Sequence, residues 1–244
     1  MKLLVSPADL EEARAAIAGG ADIIDLKNPR EGSLGASFPR IIRQVEALLP
    51  EGLELSAALG DLAFKPGTAS LAAYAVASLG ADYAKAGLFG IRDGSEALEL
   101  ARELCRAVEG TRCRIILAGY AEYASIGSIS PFLLPEIAGE AGAAGVMIDT
   151  ARKDGKGLFQ HLPEEEVKAF VDGAHDLGLL AALAGSLGME GARKAAALGA
   201  DIVGVRGLVC TGGDRGKRIE AVRVLEVKAC DVVAVPQPRA EEHS

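Results

Sequence analysis

The sequence predicts an α/β protein folded as a single (β/α)8 TIM barrel, and three observations predict it. The chain has 244 residues, close to the roughly 250 of that architecture. Half of its residues are hydrophobic, yet only 4% are aromatic and 30 are Gly. The apolar mass is therefore Ala, Leu, Ile and Val, which suits helices lying close on a parallel sheet. Short apolar runs alternate with amphipathic stretches of about 10–15 residues from end to end, the pattern of repeated βα units.

The first strand is read at Lys2–Ser6, entering a helix over Pro7–Ala18. The second and third follow at Asp22–Lys27 and Glu54–Leu59. A fourth at Asp82–Ala86 leads to a helix at Glu96–Val108, and a fifth lies at Arg114–Ala118. The sixth, Gly145–Asp149, precedes a helix at Glu164–Leu177. The seventh, Leu179–Ala184, precedes one at Met189–Leu198, and the eighth is Asp201–Arg206. Eight strands with right-handed crossovers favour closure over an open sheet.

A Gly-Ala-Asp phrase recurs before even-numbered strands, at Gly20-Ala21-Asp22, Gly80-Ala81-Asp82 and Gly199-Ala200-Asp201, with Ala144-Gly145 in the remaining place. The interval of about 60 residues makes two βα modules the repeating unit and argues against separate domains. Each Gly is positioned to end a helix in the left-handed conformation. One catalytic barrel over residues 1–235 with a frayed tail at 236–244 is the expected organisation.

The net charge of −8 argues against a nucleic-acid surface, because a basic footprint is its usual signature. Cys105, Cys113, Cys210 and Cys230 form no CxxC pair, and His161, His175 and His243 are not at zinc-ligand spacing. Neither a disulfide framework nor a metal is expected, and the thiols read as small hydrophobes in a reducing compartment. The opening MKLLVSPADLEE has too short an apolar run for a secretory signal. No stretch approaches the roughly 20 apolar residues of a membrane span. A cytoplasmic location follows as the expectation. The Ala-rich stretch Ala69–Ala77 suits either packing on the sheet or a contact in a homo-oligomer.

Barrel chemistry sits at the C-terminal ends of the strands. Those positions hold Ser6, Asp25 with Lys27, Asp61, Lys85, Tyr120, Asp149, Ser186 and Arg206. In Ile23-Ile24-Asp25-Leu26-Lys27, alternation puts Ile23, Asp25 and Lys27 on one face, which is the barrel interior if Ile24 and Leu26 pack under the helices. Lys85 stands in an otherwise small, apolar strand end, and Asp149 is followed by a polar loop that returns Lys153 over the mouth. A Lys in such a place needs an anion partner or must lose its proton. A structural bridge from Asp25 to Lys27 or Lys85 is one reading. Two lysines from different strands at one mouth favour the other, amine catalysis, in which a neutral Lys forms a Schiff base with a carbonyl and a second Lys or Asp moves protons.

Gly185 and Ser186 after the seventh strand, with Arg206 and Gly207 ending the eighth, mark the loops that commonly hold phosphate in this architecture. The segment Thr211–Arg218 does not match GxxxxGK[ST], so no nucleotide site is expected, though it can cap the mouth or add a cation. The turn-rich Lys27–Ala36 segment is placed to act as a lid.

Asp25-Leu26-Lys27-Asn28-Pro29 with Gly32-Ser33-Leu34-Gly35-Ala36, Tyr83-Ala84-Lys85-Ala86-Gly87, and Asp149-Thr150-Ala151 with Lys153-Asp154-Gly155 resemble the (5-formylfuran-3-yl)methyl phosphate synthase family. The resemblance spans nearly the whole chain, to the Gly212-Gly213-Asp214-Arg215 turn. It implies a lyase, with no cofactor, that condenses two molecules of glyceraldehyde 3-phosphate to a furan aldehyde phosphate for methanofuran or methylofuran synthesis. It further implies that Lys27 forms the Schiff base, that Lys85 accepts a proton, and that Asp25, Asp149 and Lys153 assist. The residues alone would equally serve another class I aldolase or a sugar-phosphate isomerase. A barrel that binds a phosphorylated metabolite without turnover is a third reading, and it predicts an unreactive, bridged Lys27.

Overall fold

The computed structural model describes residues 1–61, 63–152 and 154–230. Within them the chain runs β1 (Lys2–Val5), α1 (Leu10–Ala18), β2 (Ile23–Leu26), α2 (Pro39–Glu46), β3 (Glu54–Asp61), α3 (Pro66–Ser78), β4 (Tyr83–Gly87), α4 (Gly94–Ala107) and β5 (Arg114–Tyr120). It continues through α5 (Tyr123–Ile126), α6 (Leu134–Ala141), β6 (Gly145–Asp149), α7 (Leu158–His161), α8 (Glu164–Asp176), β7 (Leu180–Leu183), α9 (Met189–Ala197), β8 (Ile202–Val205) and α10 (Ala221–Ala229). Neighbouring strands are parallel throughout, and β1 pairs with β8 from Lys2↔Ile202 to Val5↔Val205, which closes the barrel. The tail expected at 236–244 lies outside the described residues.

Strand alternation sorts the core into two layers. Leu3, Val5, Ile24 and Leu26 face outward into the buried shell beneath the helices. Leu4, Ile23, Met147, Ala182 and Ile202 fill the inside of the barrel. The expected division of the second strand is therefore observed. β3, β4 and β5 run one or two residues past their expected ends, while β1, β2, β7 and β8 stop one short. Ser6, Lys27, Ala184 and Arg206 consequently sit just beyond their strands, at the mouth. α1 begins later than expected because Asp9 caps it, accepting from the Glu12 N–H at 2.9 Å.

The repeated Gly-Ala-Asp phrase has a structural cause. Gly20, Gly80 and Gly199 have φ of +83°, +86° and +94°, the helix-ending conformation expected of them. Each following Asp then clasps the neighbouring strand at the N-terminal face of the barrel. Asp22, Asp82 and Asp201 donate their backbone N–H to the carbonyls of Leu3, Leu55 and Ala181. Their carboxylates accept from the N–H of those same residues, each at 2.8 Å. Before β6 only the backbone half survives, Ala144 N–H to the Ile115 carbonyl at 2.9 Å. Replacing Asp82 with Ala is expected to lower stability by about 1–2 kcal/mol, since a strand N–H loses a charged acceptor, and urea unfolding will show it as a lower midpoint at unchanged slope.

Among the described residues, no helix is long and apolar enough to cross a membrane. In α3, Ala69, Ala73, Val76 and Ala77 pack against the barrel while Leu71 and Tyr74 face outward.

Candidate active site

Four of the expected mouth residues come together as two charged pairs. Asp25 and Lys85, on β2 and β4, are 0% and 2% exposed. The Lys85 ammonium meets Asp25 Oδ2 at 2.7 Å, and the Ser6 hydroxyl donates to that same oxygen at 2.9 Å. Lys27, at the end of β2, approaches Asp149 Oδ2 at 3.8 Å. Asp149 closes β6, and its other oxygen accepts from the Thr150 N–H at 2.7 Å. Lys153 lies outside the described residues.

A cavity of about 360 Å³ opens at this end of the barrel, within the range of small-molecule sites. Ser6, Lys27 and Asp149 are part of its lining. Gly185, Ser186, Arg206, Gly207 and Arg215 line it as well. Asp25 and Lys85 are not part of its lining, so the two lysines that the sequence placed at one mouth are in separate settings: Lys27 in the cavity wall, Lys85 behind it.

The glycine-rich side is shaped for close approach to the backbone. Gly185 adopts φ +100°, and a Cβ there would meet Thr150 Cγ2 at 2.9 Å. Ser186 follows at φ +50°, the one non-Gly residue with positive φ among the described residues, a conformation that costs roughly 1–2 kcal/mol and is typical of functional loops. The N-cap of α9 is Gly188, which offers no side chain to the helix N–H groups, and Leu187 and Gly188 line the cavity. An anion is a natural partner for such a terminus.

The two arginines differ. Arg206 forks onto Glu12 at 2.8 and 3.3 Å and donates to the Ser6 carbonyl at 2.7 Å, and its buried Nε has no hydrogen bond among the described residues. Its charge stands at the cavity but is already balanced. Arg215 makes no hydrogen bond or ion pair among the described residues. Burial, against the pull of Asp149 and with a push from Arg206, lowers its pKa from the ordinary guanidinium value.

The segment after β2 is folded over the mouth. Asn28 N–H donates to the Gly35 carbonyl at 2.8 Å, and the Ser33 hydroxyl to the Thr150 carbonyl at 2.8 Å. Leu34 is fully buried among the interior residues, and its N–H donates to Asp61 Oδ2 at 3.1 Å. Asp61 Oδ1 accepts from the Tyr120 hydroxyl. Burial first, and then the Asp61 carboxylate, push the Tyr120 phenol well above its ordinary range. Asp61 and Tyr120 are legible as strand-end residues, but their union and its role as an anchor for the Lys27–Ala36 segment are not. Gly87 makes room for this anchor: a Cβ there would collide with Tyr120 Oη and meet Asp61 Oδ1 at 2.5 Å. Gly87→Ala is expected to cost about 1–3 kcal/mol by overpacking and to expose the Lys27–Ala36 segment to limited proteolysis.

The 4-HFC-P synthase family model matches residues 3–228. The chain belongs to this family. It is 52% identical over 218 residues to the (5-formylfuran-3-yl)methyl phosphate synthase of Methanopyrus kandleri, covering 88% of this chain and 92% of that protein. It is 49% identical over 231 residues to the synthase of the same name from Methanocaldococcus jannaschii, covering 93% and 98%. Among solved structures, the barrel resembles 3-hexulose-6-phosphate synthase from Salmonella typhimurium with TM-score 0.60 at 18% identity, covering 93% of this chain and 98% of that one. It also resembles KGPDC from Streptococcus mutans, with TM-score 0.63 at 16% identity, covering 93% and 97%. At such identities these two show a shared fold alone.

Proposed function

We propose that this chain condenses two molecules of glyceraldehyde 3-phosphate to (5-formylfuran-3-yl)methyl phosphate through a Schiff base on Lys27. One phosphate and two waters leave, which balances the atoms. The observation that carries the reading is the place of Lys27, in the wall of a cavity that Asp149, Gly185, Ser186, Gly207 and Arg215 also line. That is where an amine nucleophile and a phosphate anchor belong if one small phosphorylated carbonyl compound is to meet both. The half-identical archaeal synthases supply the name of the product.

In this scheme the Lys27 amine attacks the substrate carbonyl, and loss of water leaves an imine that withdraws electrons from the adjacent carbon. Asp149, at 3.8 Å, handles protons on and off the nitrogen. Lys153 is assigned a supporting proton-transfer role, as are Asp25 and Lys85 from behind the wall. The substrate phosphate rests on the backbone N–H groups of Gly185, Ser186 and Gly207, with charge supplied by Arg206 and Arg215. The product serves methanofuran or methylofuran synthesis in the cytoplasm.

Arg215→Ala is expected to raise KM about 10- to 100-fold with little change in kcat, as loss of one charge-assisted contact predicts. Initial rates over a range of substrate concentration check it. The function itself is tested by incubating the protein with glyceraldehyde 3-phosphate while recording near-ultraviolet absorbance and free phosphate. A furan chromophore growing in step with phosphate release is the expected result. An aldol product or an isomerised triose phosphate with no chromophore would move the assignment to another class I aldolase or to an isomerase. Binding without any turnover would leave a non-catalytic barrel.

A further inference from the structure

We propose that Ser6 is the proton gate between the cavity and the buried Asp25–Lys85 pair. The inference rests on the Schiff-base reading above and goes beyond it by assigning a route. Asp25 and Lys85 are buried and do not line the cavity, and Ser6 gives them a route to a substrate held on Lys27. Ser6 stands at that boundary. It lines the cavity, is itself only 3% exposed, and donates its hydroxyl to Asp25 Oδ2 at 2.9 Å. With the hydroxyl hydrogen committed inward, the lone pairs of the oxygen are free to accept from the cavity side.

The rest of the geometry holds that orientation. The Ser6 N–H donates to the Val205 carbonyl at 3.1 Å, and its carbonyl accepts from Arg206 at 2.7 Å. Arg206 is fixed in turn by Glu12, which caps the same loop by accepting from the Ala8 N–H at 2.9 Å. The backbone at Ser6 is thus pinned from β8 and from α1 while its side chain spans the wall. On the inner side, Asp25 Oδ2 already takes the Lys85 ammonium at 2.7 Å, whereas the buried Asp25 Oδ1 has no hydrogen-bond partner among the described residues.

The step is a concerted relay. A C–H bond beside the Lys27 iminium breaks, its electron pair forms the enamine double bond, and the iminium charge is neutralised. The proton goes to Ser6 Oγ as the proton already on Ser6 passes to Asp25 Oδ2. When the enamine pair moves back to re-form the iminium, the C–O bond on the carbon beyond the enamine breaks, and reversal of the relay gives the departing oxygen its proton. No oxidant, reductant or further reactant enters.

The test uses the full chain with glyceraldehyde 3-phosphate in D2O. Two readouts are taken: borohydride-trapped adduct on Lys27, which precedes the relay, and deuterium gained at C2 of recovered substrate, which requires it. Ser6→Ala leaves Asp25 paired with Lys85, so no ion is stranded by the change. It is expected to keep the adduct and to lose about 100-fold or more in exchange rate, the scale of a general acid–base contribution. Ser6→Thr, which restores a hydroxyl, is expected to recover most of the exchange. If the alanine variant does not fold, the shape-matched contrast of Ser6→Thr with Ser6→Val carries the same comparison. Exchange at the parental rate in the hydroxyl-free variants overturns the relay, and so does loss of adduct and exchange together in a folded variant. Failure of the unaltered protein to form any adduct strikes instead at the Schiff-base reading.

Discussion

Replacing Lys85 with Met is expected to destabilise the protein by about 3–5 kcal/mol, the cost of stranding one member of a buried ion pair. Asp25 is fully buried, and Lys85 at 2.7 Å is its counter-ion. Methionine matches the apolar stem of lysine but supplies no charge. Among the described residues, the Ser6 hydroxyl alone would then hydrogen-bond the carboxylate, since its second oxygen has no partner there. Asp25→Asn combined with Lys85→Met removes both charges and is expected to recover a large part of the loss, because a neutral pair of similar volume leaves no uncompensated ion. Urea unfolding of the single and double variants measures this. A loss below about 1 kcal/mol in Lys85→Met would mean that Asp25 is not held by Lys85 as the geometry has it.

Lys27→Arg is expected to reduce kcat/KM for furan formation at least about a thousandfold while leaving the fold intact, since removing the nucleophile of a covalent mechanism eliminates its route. Arginine keeps the positive charge beside Asp149 and so preserves the pair at 3.8 Å in kind. It cannot form a Schiff base, because its guanidinium stays protonated. The charge-conserving change therefore separates a nucleophilic role from an electrostatic one. A reduction of less than about tenfold would mean that Lys27 serves only as a counter-charge.

The contrast between these two lysines shows where sequence reasoning reaches and where it stops. Strand alternation is local, and it correctly sorts Ile23, Asp25 and Lys27 from Ile24 and Leu26. It also brings out Asp149 as a strand end facing the mouth. Which anion each lysine meets is not local. Asp25 and Lys85 are 60 residues apart, and their pairing depends on the register of β2, β3 and β4 in the closed sheet. Two lysines on the same kind of strand end look alike in sequence, although one lines the cavity and the other lies behind it.

Arg206 follows the same rule. Its position after β8 marks it for phosphate, but its fork onto Glu12 spans 194 residues and joins the last strand to the first helix. Nothing near either residue announces that bond. Arg215, in a turn-rich loop, is legible only as a cation able to reach the mouth. The segment after β2 reads as a lid from its turn formers. The clue that it is docked is Leu34, a single large apolar residue among Gly, Ser and Ala, buried in the barrel interior. The Gly-Ala-Asp repeat is visible as a period, and half of its cause, the helix-ending glycine, follows from backbone preferences. The other half, a carboxylate clasping the preceding strand, needs the inter-strand register.

The central claim is that Lys27 forms the covalent intermediate. The most direct measurement is to incubate the protein with glyceraldehyde 3-phosphate, reduce with borohydride, digest, and locate the modified lysine by mass spectrometry. A reduced adduct on Lys27, absent from Lys27→Arg, is the predicted result. An adduct confined to another lysine such as Lys85, or none on a folded and catalytically active protein, would contradict the account.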